Sequence, residues 1–197
     1  VVSSTDAASV FSILRSKKLG LKNNTAPMLE MESGSNDPFA YMLTALMLSI
    51  MTGNATGPGI SWMLFAQLAF GAGCGVGIAK LASLILDRVR IKGQGYNSLF
   101  ILSVAILSYA IPDLIGGNGY LSSYIVGVIL GNTDFPGKKA LVNFFDGVTG
   151  LMQVLIFFLL GLLARPLLLH RAILPALAIF LFMLLIARPL AVTGILS

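Results

Sequence analysis

Apolar stretches long enough to cross a bilayer recur from one end of the chain to the other, separated by short polar gaps. A crossing helix needs roughly 17–25 mostly apolar residues to span a hydrocarbon core of about 30 Å. On that measure the chain has an opening partial segment, about Val1–Ser16, and six crossings. These are about Pro27–Thr52, Ile60–Leu86, Tyr96–Ile111, Tyr120–Asn132, Phe144–Leu163 and Ala172–Leu196. Composition agrees: 56% of the 197 residues are hydrophobic and 11% are charged, too little polar surface to cover a soluble domain of this size. The expected fold is therefore an all-α polytopic membrane protein with the lipid bilayer as its partner. A secretory or transit peptide does not account for runs that recur throughout. The chain opens at Val1 without an initiator Met and stops at Ser197 inside apolar sequence, so it reads as a piece of a longer protein.

The net charge of +5 could suggest nucleic-acid binding, but the bases sit in the gaps between apolar runs. Arg15, Lys17, Lys18 and Lys22 precede the first full span, Arg88, Arg90 and Lys92 follow the second, and Lys138 and Lys139 precede the fifth. Between them, Asn54–Gly59 carries no charge and Asp113–Gly119 no base. This alternation is what a zigzag through a membrane with cytoplasmic basic loops produces. Arg165, His170 and Arg171 fall on the opposite side and break the pattern. The single cysteine, Cys74, excludes an internal disulfide or a Cys-based metal cluster, and His170 alone makes no metal site. The glycine-rich run Gly71–Gly77 does not fit a phosphate loop, because it lies within an apolar span and has the wrong spacing. Its pairs four apart, Gly71/Gly75 and Gly73/Gly77, instead predict close approach of two membrane helices.

Four ionisable residues lie where lipid-facing charge would cost roughly 2.5–3.5 kcal/mol each: Asp6, Glu32, Asp37 and Arg188. Asp37 comes about ten residues into its span, roughly 15 Å along the axis, which places it near the bilayer midplane. Pro38 removes one helical hydrogen bond beside it and predicts a local distortion. Ser33, four positions earlier, shares the face of Asp37, and Asn36 lies alongside. Ser33, Asn36 and Asp37 can thus line one oxygen-rich site. Glu32 is turned about 140° from Asp37 and needs a partner of its own. Arg188, deep in the last apolar span with no nearby acid in sequence, is the natural candidate for a buried pair. Asp6 lies in the small, polar run Ser3–Ala8, which suits an interrupted helix with carbonyls and hydroxyls facing an ion.

These residues also carry a family likeness. Glu32, Ser33, Asn36 and Asp37 resemble the Glu-Ser-x-x-Asn-Asp motif of NhaP-type monovalent cation/proton antiporters, the CPA1 group. Thr5 and Asp6 look like that family's Thr-Asp pair in a broken helix, and Ile186, Ala187 and Arg188 resemble its buried arginine segment. The wording of Ser12–Lys22 followed by Ser33–Pro38 is most similar to bacterial potassium/proton antiporters of the cell-volume-regulation type. The resemblance implies part of an NhaA-like antiporter fold, homodimeric in the full-length protein, in the bacterial inner membrane. It implies that Asp37 exchanges a proton for a monovalent cation, with Thr5, Asp6, Ser33 and Asn36 around the ion and Glu32–Arg188 as a structural ion pair. No cofactor is expected beyond the transported K⁺ or Na⁺ and H⁺. Asn36 beside Asp37, in place of two adjacent aspartates, resembles the electroneutral branch. On this reading residues 1–52 and 167–197 belong to the ion-translocating core, and 53–166 to connecting and interface-side helices. Relative to the family pattern, the early interface helices and the second crossing helix are absent, so this piece alone is not expected to transport.

The physical mechanism expected is competition at one site. Desolvation disfavours a charged carboxylate and a bound cation favours it, so either H⁺ or K⁺ or Na⁺ neutralises the group before it changes sides. An intramembrane aspartyl protease would also use two buried aspartates, but its Tyr-Asp and Gly-x-Gly-Asp motifs do not occur. A channel would favour rings of repeated carbonyls or charges, and the chain has one irregular polar cluster instead.

Overall fold

The computed structural model describes residues 25–53, 57–88, 94–135, 138–164, 166–187, 189–190 and 193–194. Among these residues there is no strand. Six α-helices follow one another: α1 Thr25–Met51, α2 Gly57–Arg88, α3 Gln94–Leu114, α4 Gly119–Asn132, α5 Lys138–Leu163 and α6 Pro166–Phe182, and a π-helical turn over Met183–Ala187 follows α6. The chain divides into two compact units, Val1–Thr149 and Gly150–Ser197.

Two helices begin within charged sequence expected to form loops. α5 begins at Lys138, six residues before the expected Phe144, so Lys138 and Lys139 form its first turn. The Lys138 ammonium reaches back to the carbonyls of Gly131 and Thr133 at 2.6 and 3.1 Å, the end of α4 where free carbonyls favour a cation. Likewise α6 starts at Pro166, a position that tolerates proline because the first helical N–H has no partner, and this brings His170 and Arg171 into a helix. Among the described residues, three helical segments are long and apolar enough to cross a membrane: Gly59–Arg88, Tyr96–Leu114 and Lys138–Leu163. The all-helical, apolar character is that of a membrane protein.

Within the first unit, α1 and α3 run antiparallel to α2 and α4. Gly34 and Tyr41 of α1 meet Tyr124 and Tyr120 of α4 in reversed order, while Gly71 and Gly75 of α2 meet Asn118 and Ser122 in the same order. The seam between α2 and α4 is where the glycine spacing acts. A Cβ on Gly71 would stand 2.8 Å from the Asn118 carbonyl, and one on Gly75 would stand 3.0 Å from the Cα of Ser122. Gly73 and Gly77, on the other side of α2, have nothing within 4 Å of a Cβ. The stripe continues as Ala79 and Ala82, which with Leu86, Ile101, Val104, Val126, Leu130 and Leu141 form the apolar core.

α4 has 14 residues, about 21 Å at 1.5 Å per residue, well short of a bilayer core. Its neighbours explain how. The backbone N–H of Asn118, just before α4, donates to the Gln67 carbonyl at 3.1 Å, and Asn118 also lies against Pro38. Pro38 is the midpoint of α1, and Gln67 lies about ten residues, or 15 Å, into α2. The α3–α4 connection therefore reaches the midpoint of α1 and about a third of the way along α2, and α4 starts there. Gly116, at φ 79°, makes the reversal, and Gly117 passes the backbone of Phe70 and Gly71 with no room for a side chain. Irregular backbone at such depth is tolerated when protein groups satisfy it. Here Gly117 N–H bonds to the Pro112 carbonyl and Asn118 N–H to that of Gln67, and the Leu121 N–H bonds to the Asn118 side chain.

Candidate functional site

The polar segment Glu32–Asp37 forms part of the continuous helix α1, with Asp37 close to its midpoint. Pro38, inside the helix, has no N–H to give to the Gly34 carbonyl, so the turn 34–38 lacks one of its ladder bonds. Ser33 is buried at 1% exposure, whereas Asp37, one turn further along nearly the same face, is exposed. The face is thus closed at Ser33 and open at Asp37. Asp37 was expected to be buried, and the described residues do not bury it.

Glu32 is exposed and receives a hydrogen bond at 3.1 Å from the Asn36 side-chain amide. The two are four apart, and that spacing signalled the contact in the sequence, although Asn36 was assigned to the Asp37 site and Glu32 to Arg188. The Asn36 amide nitrogen is therefore directed at Glu32. Thr5, Asp6 and Arg188 lie outside the described residues. The approach to Arg188 is the π turn Met183–Ala187, a rare widening that recurs at functional positions. Pro189, just beyond, cannot donate a ladder bond.

Sequence reasoning missed the polar seam beside this segment. Asn118, 1% exposed, donates from its amide nitrogen to the Pro38 carbonyl at 2.9 Å. Its amide oxygen accepts from Leu121 N–H at 3.0 Å and so caps α4. Gln67 and Ser122 are buried in the same seam, and Ser108 joins α3 to α4 through the Ser123 hydroxyl at 3.0 Å. Tyr120 packs against Tyr41 in a tilted pair and against Tyr109 edge to face, with ring centroids 4.7 and 5.1 Å away. An Asn directly before an apolar helix is a cap signal readable from sequence. Its contact with a proline carbonyl 80 residues away is not.

The family model described as sodium/hydrogen exchanger, transmembrane, matches residues 1–197. The chain belongs to the sodium/hydrogen exchanger family. Among its relatives, the K(+)/H(+) antiporter NhaP2 of Shewanella sp. (strain ANA-3) is 38% identical over 195 residues, 98% of this chain and 33% of that protein. The K(+)/H(+) antiporter NhaP of Alkalimonas amylolytica is 35% identical over 196 residues, again 98% and 33%. The probable Na(+)/H(+) antiporter 2 of Methanocaldococcus jannaschii is 29% identical over 205 residues, 98% of this chain and 47% of that protein. No solved structure matches. The NhaP-type resemblance carried by Glu32–Asp37 is thus shown across nearly the whole chain, and the relatives are named as transporters, not enzymes. This exchanger chain spans about one third of the length of its K(+)/H(+) relatives. The exposure of Asp37 is its exposure within that third.

Proposed function

We propose that the chain is the ion-coupling portion of a longer secondary transporter that exchanges K⁺ for H⁺ across the bacterial inner membrane. The observation that carries this reading is Asp37, a carboxylate at mid-length of a 27-residue helix, followed by a proline, in a chain matching the exchanger family from end to end. Proton and cation compete for Asp37, and only the neutralised site changes sides, which makes the exchange electroneutral. Ser33, Asn36, Thr5 and Asp6 supply oxygen ligands around it. The chain forms part of an NhaA-like fold with an interrupted helix, and the full-length protein is a homodimer. Na⁺ is the second reading, favoured by the likeness to the relative named as a probable Na(+)/H(+) antiporter. The relatives named for K⁺ match at higher identity.

In everted vesicles containing the full-length protein, adding K⁺ should collapse an imposed pH gradient without requiring a membrane potential. A larger response to Na⁺ would reassign the cation, and no response to either would end the antiport reading.

Glu32 and Arg188 are proposed as a structural pair, and the Asn36 amide also donates to the Glu32 carboxylate. Removing one partner of such a pair leaves the other charge uncompensated, at a cost of about 3–5 kcal/mol when buried. Glu32→Arg and Arg188→Glu should each abolish stable insertion or transport, and the double reversal should restore part of it. A double variant no better than either single one would show that the two do not pair.

A further inference from the structure

We infer that Asn118 is a positioning residue for Asp37, holding the proline-loosened turn of α1 against α4; this rests on Asp37 being the exchanging carboxylate. Three observations converge on it. First, Pro38 has no N–H, so the turn that carries Asp37 lacks an internal ladder bond and its shape depends on outside contacts. Second, the Asn118 amide bonds to the carbonyl of Pro38, the residue next to Asp37, at 2.9 Å in a buried setting. Third, Asn118 is itself fixed on every side. Its oxygen holds Leu121 N–H, its N–H holds the Gln67 carbonyl, its carbonyl receives Ser122 N–H, and α2 presses on it where Gly71 leaves no space for a Cβ.

One helical turn back, Gly34 packs against the Tyr124 ring, whose Cε2 would stand 3.0 Å from a Cβ there. The turn 34–38 is thus gripped at both ends by α4, and Asp37 lies between the grips. A neutral amide suits this position. It gives one hydrogen to the Pro38 carbonyl and keeps an oxygen for the cap, whereas a carboxylate would set an acceptor against that carbonyl.

The test uses the full-length protein and two substitutions that keep a side-chain oxygen for the α4 cap. Asn118→Ser and Asn118→Thr are both too short to reach Pro38. With membrane-inserted protein matched between samples, both should raise the apparent cation KM about threefold to tenfold, the size expected for losing one buried hydrogen bond that orients a ligand. If Asn118→Ser does not reach the membrane, Asn118→Thr, with the same short reach and a capping hydroxyl, carries the measurement. A cation KM equal to that of the natural protein, whether or not melting temperature falls, would overturn the inference and leave Asn118 a helix cap. Asp37→Asn run alongside separates the two failures. Exchange lost there but unchanged KM in the Asn118 variants removes the positioning role alone, and exchange retained there removes the reading beneath it.

Discussion

Asp37→Asn in the full-length protein should reduce cation-driven proton movement to the background of empty vesicles while leaving the protein folded in the membrane. The substitution nearly keeps the size of the side chain and removes the ability to alternate between charged and neutral forms. Competition between a proton and a cation needs that alternation, so loss of function should be complete instead of graded. Stability should move the other way or not at all. A carboxylate at bilayer mid-depth costs roughly 2.5–3.5 kcal/mol on insertion scales, and an amide costs less. A variant that stays folded and cannot exchange is the expected result. Transport at the natural rate would show that another group carries the proton, and the position of Asp37 midway along α1 would then be incidental.

Unequal stability effects should come from glycines that look alike in sequence. Gly71→Ala and Gly75→Ala should each destabilise the protein by about 1–3 kcal/mol, the usual cost of forcing a methyl group into closed packing. The atoms a new Cβ would meet are the Asn118 carbonyl at 2.8 Å and the backbone of Ser122 at 3.0 Å, which cannot swing aside as a side chain can. Gly71→Ala should also weaken transport, because the backbone it displaces belongs to Asn118. Gly73→Ala and Gly77→Ala meet nothing within 4 Å, and alanine favours a helix over glycine by up to about 1 kcal/mol. They should be neutral or mildly stabilising. Thermal denaturation of the purified full-length protein in detergent would compare the four. Equal losses at all four positions would mean that α2 is packed as tightly on its opposite face, and that the α2–α4 seam does not by itself set its place.

Several features of this protein were determined by its residues acting locally. Apolar runs have to leave water and their backbone has to bond to itself, so helices over most of the described chain followed from composition and run length. Pro38 dictated a missing ladder bond beside Asp37, and glycines four apart dictated a seam of close approach. Even the Glu32–Asn36 bond follows from helical spacing. Tertiary structure decided what local rules leave open. Gly71/Gly75 and Gly73/Gly77 have the same spacing, and only the placement of α4 separates a packed pair from an open one. A 14-residue apolar run looks like a short crossing, and only its neighbours show that α4 starts alongside the interiors of α1 and α2. Asn118 announced a helix start, but its bond to Pro38 joins residues 80 apart. Helix formation depends on each residue and its near neighbours, whereas contacts between helices depend on how whole faces fit together. That is why the elements were legible in the sequence and the seam that grips the Asp37 turn was not.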